Sequence, residues 1–488
     1  MFDRDVAIQA FTDPQALPRP LCVDLDGTLI VTDTLWESVV LILRQRPWLT
    51  LFLPFWLLRG RAGFKEAVRE HVSLDVAALP YREPLVDALR AAKGAGRQLV
   101  LATAADSQLA ERVAAHVGLF DQVFATEQGK NLKAKHKEAR LTAEFPQGFD
   151  YIGDSHADLS VFQAARQGFL VGGTSALGNR VRGKNVQVFA PRPSILRAIF
   201  KQLRPHQWAK NALVVLPALL APRFSIDHFV AGLIGAAAFS LCASAGYVLN
   251  DLLDLEADRA HRTKRNRPLA SGALPVAWGP VLFGLLALGS VALALLLPSY
   301  GFLVMLGIYF VATLSYSFYL KKRMLLDVLV LAWLYTHRII AGGLATSVPL
   351  SAWLLAFSMF IFLSLAFVKR YTELLALTDD KAIKHRDYAR GDIPIVASMG
   401  TASGYIAVLV FSLYVEQGAR EAAYAQPLFL WFSVPVLLYW ISRIWLLASR
   451  GQMEDDPVKF ALRDKVSLTC GVVLVLLAAL ARYGRLNF

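Results

Sequence analysis

Three cysteines in 488 residues, Cys22, Cys242 and Cys470, are too few, too scattered and of the wrong parity for a disulfide framework, and their spacing suits no zinc site. Charge is also scarce. Only 18% of the residues are charged while 55% are hydrophobic, which excludes a disordered chain and an ordinary soluble protein. Acidic residues are outnumbered, 38 against 51 Lys and Arg, and the formal charge of +13 admits nucleic acid, anionic lipid headgroups or phosphorylated substrates as partners. The opening MFDRDVAIQAFTDPQ lacks an apolar core segment and does not read as a signal peptide.

What is present divides near residue 205. In residues 1–190, short apolar runs (Leu21-Cys22-Val23, Gln98-Leu99-Val100-Leu101, Tyr151-Ile152, Gly168-Phe169-Leu170-Val171) alternate with helical patterns. This predicts an α/β domain, a parallel sheet covered by helices with its active residues at the carboxyl ends of the strands. A linker is expected over 191–206. Over 207–488 long apolar stretches predict an all-α polytopic membrane domain of about nine transmembrane helices, near 208–222, 226–250, 279–297, 301–319, 325–345, 351–372, 396–415, 427–448 and 467–482. Basic residues crowd three loops: Arg259, Arg262, Lys264, Arg265 and Arg267; Lys321, Lys322 and Arg323; and 369–390. The positive-inside bias puts these loops and the N-terminal domain on the cytoplasmic side of a bacterial-type plasma membrane, although Arg482 and Arg485 at the outer end weigh slightly against it. Basic residues placed beside membrane helices, without an aromatic platform, argue against nucleic acid.

In the first half, Val23-Asp24-Leu25-Asp26-Gly27-Thr28-Leu29 sets two carboxylates two residues apart, with a glycine for a sharp turn after them. One carboxylate can attack phosphorus while the other moves protons, and a cation, Mg²⁺, is needed to mask the repulsion. Thr103 at a strand end can bond a phosphate. Lys137 is the expected phosphate lysine, with Lys133 its competitor, and Gly153-Asp154-Ser155-His156-Ala157-Asp158 offers two acids for the metal. This order of motifs resembles the haloacid dehalogenase-like phosphohydrolases over about 20–190. The resemblance implies Asp24 as nucleophile, Asp26 as acid/base, Thr103 and Lys137 as phosphate binders, and Asp154 and Asp158 with Asp24 and Asp26 around Mg²⁺. A degenerate domain that binds phosphate without turnover is the alternative.

An insert at about 33–85 is long enough for a helical cap. It carries the apolar run 47–58, with Arg44 and Arg46 before it and Arg59 and Arg61 after it. Two readings stand: the core of the cap, or an interfacial segment that dips into a bilayer.

In the second half, Asn250-Asp251-Leu252-Leu253-Asp254-Leu255-Glu256-Ala257-Asp258 lies where an apolar helix meets the first basic loop. On a continuous helix Asp251, Asp254 and Asp258 share one face, where they would repel unless cations neutralise them; a Mg²⁺-bound diphosphate is the natural occupant. His261-Arg262-Thr263-Lys264-Arg265-Asn266-Arg267 supplies cations for anionic oxygens. The motif resembles the UbiA superfamily of intramembrane prenyltransferases over about 200–488. The stretch of that superfamily's second acidic motif keeps Asp327 but has Leu331 where another acid is expected.

Arg204-Pro205-His206-Gln207-Trp208-Ala209-Lys210-Asn211, the stretch from Tyr316 to Asp327, His337-Arg338, Lys369-Arg370-Tyr371-Thr372-Glu373 and Asp456-Pro457 resemble the polyprenyl-phosphate phosphoribosyltransferase branch, decaprenyl-phosphate phosphoribosyltransferases in particular. That resemblance implies phosphoribosyl diphosphate as donor and a polyprenyl phosphate as acceptor, Asp251 and Asp254 as catalytic acids, and Lys210, Asn250, Lys264, Arg267, Tyr316, Lys321, Lys322, Asp327, Arg338 and Lys369 as substrate contacts. Snorkelling anchors are the plainer reading of Lys321 and Lys322. The combined expectation is a bifunctional enzyme: 5-phosphoribosyl transfer in the membrane half, then removal of the 5-phosphate by the soluble half, feeding lipid-linked sugar synthesis for the cell envelope. An aromatic prenyltransferase, its N-terminal half a separate phosphatase or a docking module, is the alternative, and self-association is left open.

Overall fold

The computed structural model describes residues 3–126, 132, 134–172, 175–181, 185–190, 194–221, 223–377, 387–418, 424–453 and 456–484. Lys133 and Arg485 lie outside them. The chain forms two compact units, Met1–Leu203 with Tyr247–Phe283, and Arg204–Gly246 with Gly284–Phe488.

The first unit is built on a six-stranded sheet, β1 (Leu21–Val23), β2 (Leu99–Asp106), β3 (Gln122–Thr126), β4 (Asp150–Gly153), β5 (Gly168–Val171) and β6 (Val186–Ala190), in the order β3-β2-β1-β4-β5-β6. Every pairing is parallel, with Val23 beside Leu101 and Ile152. Short, uniformly apolar strands suit a sheet buried on both faces. Alternate residues do fill two separate cores: Leu21, Val23, Leu99, Leu101 and Ile152 on one side, Cys22, Val100, Ala102 and Tyr151 on the other. Strand order reverses at β1 and β4, so the crevice beyond their carboxyl ends is where an α/β sheet binds its ligand.

The insert forms the expected helical cap. Helices Thr34–Gln45 and Gly60–His71 pack Val39, Leu41, Ile42, Phe64 and Val68 into one cluster, to which the run Pro47–Leu58 contributes buried Trp56. The sequence linker is largely helical, Ile195–Leu203.

Among the described residues, eight helices are long and apolar enough to cross a membrane: Ile226–Leu253, Trp278–Leu295, Tyr300–Phe318, Leu326–Thr346, Ala352–Leu375, Arg390–Gln417, Leu428–Ser449 and Lys465–Tyr483. They match eight of the nine expected spans. The remaining stretch, 208–222, instead lies in a 3₁₀ run, Pro205–Val214, and a short helix, Leu216–Leu220. Pro217 marks the start of that short helix, and polar side chains bind sideways: Lys210 to Asp456 and Asn211 to Ser240.

Candidate active sites

The turn after β1 creates the first site. Gly27, at φ +76°, lets the chain double back; the Leu29 amide donates to Asp24 O at 3.2 Å and the Gly27 amide to Thr32 O at 2.9 Å. Asp24 is buried at the strand end, and Lys137, from the helix Lys135–Glu144, reaches it. Lys137 Nζ donates to Asp24 Oδ1 at 2.9 Å, to Tyr151 Oη at 2.9 Å and to Asp158 Oδ1 at 3.4 Å. Asp158 is fixed on its other oxygen by the Ser155 amide (3.1 Å) and hydroxyl (2.8 Å), and Tyr151 Oη donates to it at 2.8 Å.

The four sequence-expected groups therefore converge from three segments: Asp24 after β1, Lys137 on the helix Lys135–Glu144, and Asp154 and Asp158 after β4. Asp24, Asp154 and Asp158 each offer an oxygen within 4.8 Å of the others, and among the described residues they are the one such trio. A hard divalent cation fits this all-oxygen set. The Thr28 hydroxyl, buried in the same turn, has no hydrogen-bond partner among the described residues, which leaves it open for a ligand oxygen. Thr103, expected at a strand end, is buried within β2, which runs on to Asp106; its Oγ1 accepts from the Ala105 amide at 3.0 Å, so its proton is directed elsewhere.

The two aspartates of the turn are electrostatically distinct. Burial, with help from Asp158 and against the pull of Lys137, raises the Asp24 carboxyl to about 6. Burial and then Asp33 raise Asp26 to about 7, opposed by the Thr34 amide, which donates to Asp26 Oδ1 at 2.8 Å. Burial pulls Lys137 down, but Asp24 and Asp158 outweigh it and hold the ammonium above its usual range. A carboxylate, a nearby carboxyl that titrates near neutrality and a fixed ammonium suit phosphoryl transfer to Asp24 with Asp26 as proton donor. Tyr151 was not singled out in the sequence; its motif position reads as core, and only the fold turns its hydroxyl toward Lys137.

The acidic motif at 250–258 departs from a single helical face. Helix Ile226–Leu253 ends before Asp254, which takes φ −94° and ψ 11°, and a new helix, Leu255–Ala260, follows. Asp254 is exposed, while Asp251 and Asp258 are buried and converge on one guanidinium: Arg267 Nη1 donates to Asp251 Oδ1 at 2.9 Å and to Asp258 Oδ2 at 2.6 Å. Burial pushes the Asp258 carboxyl up, against Arg267. Gln202, buried on the helix Ile195–Leu203, donates Nε2 to Asp251 Oδ2 at 2.8 Å, and its Oε1 has no partner among the described residues. With Arg267 between the two acids, this cluster does not present an ion site as it stands. Asn250 sits on the last turn of the helix, and Lys264 is exposed on the 3₁₀ turn Lys264–Asn266. Gln202 lacked any sequence signal, because its role depends on the helix that replaces the expected linker.

In the second unit, the expected contacts sort into two groups. Lys210 Nζ pairs with Asp456 Oδ2 at 2.5 Å and lies 5.9 Å from the Tyr335 ring, and Lys369 is within electrostatic reach of both Lys210 and Asp456. Burial favours the neutral Asp456 carboxyl, but Lys210 outweighs it and holds the group below its usual range. Arg338 is already engaged, through Nε to Asn211 Oδ1 (2.9 Å), Nη1 to Leu334 O (2.6 Å) and Nη2 to Tyr309 Oη (3.0 Å), which makes it a structural tie.

The second group surrounds Asp327, which is fully buried, paired with Arg370 Nη2 at 2.5 Å and bonded by Tyr388 Oη at 2.8 Å. Arg370 also pairs with Glu373 and interacts with Tyr316. Asp327 is thus neutralised by a buried arginine. Lys321 and Lys322 stand on the 3₁₀ turn Leu320–Lys322, half-buried and exposed respectively.

The fold joins a parallel α/β domain to a set of long apolar helices, and comparison with known proteins places it. Residues 212–469 match the UbiA prenyltransferase family, and residues 21–163 match the haloacid dehalogenase-like hydrolase model. The chain belongs to the UbiA prenyltransferase family. It is 37% identical over 463 residues to the uncharacterized protein y4nM of Sinorhizobium fredii, covering 93% of this chain and 89% of that one, so that protein matches both halves. Nodulation protein NoeC of Azorhizobium caulinodans is 37% identical over 279 residues, covering 56% of this chain and 89% of the relative. Decaprenyl-phosphate phosphoribosyltransferase of Mycolicibacterium smegmatis is 30% identical over 291 residues, covering 57% and 89%.

Proposed function

We propose that the chain is a bifunctional enzyme in which the UbiA-type half (207–488) transfers 5-phosphoribose from phosphoribosyl diphosphate to a polyprenyl phosphate, and the N-terminal half (1–190) removes the 5-phosphate from the product. The reading is supported by one observation: Asp24, Lys137, Asp154 and Asp158 converge at the carboxyl edge of the sheet in a chain whose other half is 30% identical to a decaprenyl-phosphate phosphoribosyltransferase. A product that keeps a phosphomonoester is the substrate class such a constellation cleaves. The same identity favours ribosyl transfer over aromatic prenylation.

In the transfer step the lipid phosphate oxygen attacks the anomeric carbon and diphosphate leaves, so the protein acts by positioning and charge neutralisation. Arg267 and the loop lysine Lys264 are the cations assigned to donor phosphates, with Asp251 and Asp258 holding Arg267 and exposed Asp254 a separate acidic candidate; Lys210, Lys321, Lys322 and Lys369 are candidates for the remaining phosphates. In the hydrolytic half Asp24 Oδ attacks phosphorus as Asp26 protonates the leaving sugar oxygen; Asp26, now ionised, takes a proton from a water that attacks the aspartyl phosphate and releases phosphate, restoring both acids, while Lys137, Thr28 and Thr103 hold the phosphoryl oxygens. Mg²⁺, held by Asp24, Asp154 and Asp158, would supply charge neutralisation between nucleophile and phosphate. We place both activities on the cytoplasmic side of a bacterial plasma membrane.

The experiment is incubation of purified protein with phosphoribosyl diphosphate, a polyprenyl phosphate and Mg²⁺, with lipid products read by mass spectrometry. Polyprenyl-phosphoryl ribose is expected. A prenylated ring from a prenyl diphosphate and a 4-hydroxybenzoate-type acceptor, with no ribosylated lipid, would replace this reading with the aromatic prenyltransferase.

A further inference from the structure

The cap turns a continuous apolar strip outward. Along the run Pro47–Leu58, Trp48, Leu51, Phe52, Phe55, Leu57 and Leu58 are exposed, Leu51 at 74%, Phe55 at 65% and Leu58 at 85%. Trp56 alone of the run is buried, where it pins the strip to the cap core. A water-facing cap does not hold so many large apolar side chains on one short segment unless something covers them. Arg46 and Arg59, both exposed, bracket the strip. Twelve residues, half of them 3₁₀, are too few to cross a bilayer but suit one leaflet's interface, with Trp at headgroup depth and arginines on phosphates.

The strip is also tied to the end of a membrane helix, within a single compact unit. Helix Thr34–Gln45, which leads into Pro47, is fastened at two points to residues that begin three beyond Leu253, the end of helix Ile226–Leu253. Arg44 pairs with Glu256. Glu37, buried, takes two bonds from Arg259, Nη1 to Oε2 at 3.1 Å and Nη2 to Oε1 at 2.6 Å. Alongside, Gly272 packs so closely on Val31 that an added Cβ would lie 2.7 Å from its carbonyl oxygen.

We propose that the cap segment 47–58 inserts into the phospholipid interface of the membrane that the chain spans. Insertion itself needs only the strip and its anchor. Its consequence rests on the proposed function: the interface-seated cap lets a lipid-linked sugar phosphate reach Asp24 without its polyprenyl chain leaving the bilayer.

The test uses the full chain in nanodiscs containing anionic phospholipid. An environment-sensitive nitrobenzoxadiazole probe is placed at Phe55→Cys and, as control, at Val6→Cys; the three native cysteines are buried. The expected result is blue-shifted emission at position 55, quenched several-fold by doxyl-labelled lipid, with neither effect at position 6. Water-like emission at 55, or a blue shift that follows protein concentration and ignores doxyl lipid (a second copy covering the strip), overturns the proposal. Hydrolysis of a soluble phosphomonoester checks folding of the labelled protein. The triple variant Leu51→Ser, Phe55→Ser, Leu58→Ser should keep that soluble rate and lose at least about tenfold on the lipid-linked substrate. If the parent fails to hydrolyse the lipid-linked substrate, the phosphatase reading falls, while quenching at position 55 still decides insertion.

Discussion

Phosphomonoester hydrolysis by this chain should fall steeply above neutral pH, and the slope has an identifiable owner. Asp24 must be ionised to attack and Asp26 protonated to donate, and the structure raises them to about 6 and about 7. Activity is therefore gained as pH rises through the first value and lost as it rises through the second. For two such groups the competent fraction peaks near pH ~6.5 at roughly 0.6 and drops about 20-fold two units away on either side. An ion bound by Asp24, Asp154 and Asp158 would favour the Asp24 carboxylate and move the acid limb lower, so the alkaline limb is the diagnostic one. Asp33 supplies a second handle. Its charge helps to raise Asp26, and its side chain also caps helix Thr34–Gln45 by accepting from the Leu35 and Trp36 amides. Asparagine caps nearly as well, so Asp33→Asn should keep the helix and shift the alkaline limb toward acid. The assay is kcat/KM for a soluble phosphomonoester against pH, in parent and variant. A rate that stays level to pH ~9, or an alkaline limb that Asp33→Asn leaves in place, would refute Asp26 as the proton donor.

Further substitutions probe the remaining contacts. Tyr151→Phe leaves Lys137 and Asp158 each one hydrogen bond short, and kcat for hydrolysis should fall about tenfold with ribosyl transfer unchanged, measured by steady-state kinetics. Gln202→Glu sets a carboxylate against Asp251 and should cut transfer about tenfold or more, beyond the effect of Gln202→Leu, while hydrolysis persists. Glu37→Gln breaks a buried bidentate pair with Arg259; a loss of about 3–5 kcal/mol is expected in chemical denaturation of the N-terminal half, partly restored by adding Arg259→Gln.

The convergence of Asp24, Lys137, Asp154 and Asp158 was legible because most of these residues sit in local strings that follow strands. Asp24 and Asp26 share one turn, Asp154 and Asp158 another, and parallel pairing of β1 with β2 and β4 brings them together. What the string could not carry was side-chain direction: Tyr151 alternates with core residues and reads as one of them. Membrane helices were legible from apolar length, apart from 208–222, where Pro217 and sideways bonds from Lys210 and Asn211 break up an otherwise apolar stretch. The acidic motif shows the limit of periodicity. One residue off the helical dihedrals, Asp254, separates itself from Asp251 and Asp258, and the partner that joins those two, Arg267, comes from the loop beyond. Arg370, which neutralises Asp327, stands 43 positions downstream of it, a pairing only packing reveals.

The most direct test of a two-step chain is the lipid left behind when the second step is removed. Asp24→Asn protein, supplied with phosphoribosyl diphosphate, a polyprenyl phosphate and Mg²⁺, should accumulate polyprenyl-phosphoryl 5-phosphoribose, where the parent yields the dephosphorylated ribose lipid in the same mass spectrum. Identical products from the two proteins would contradict it.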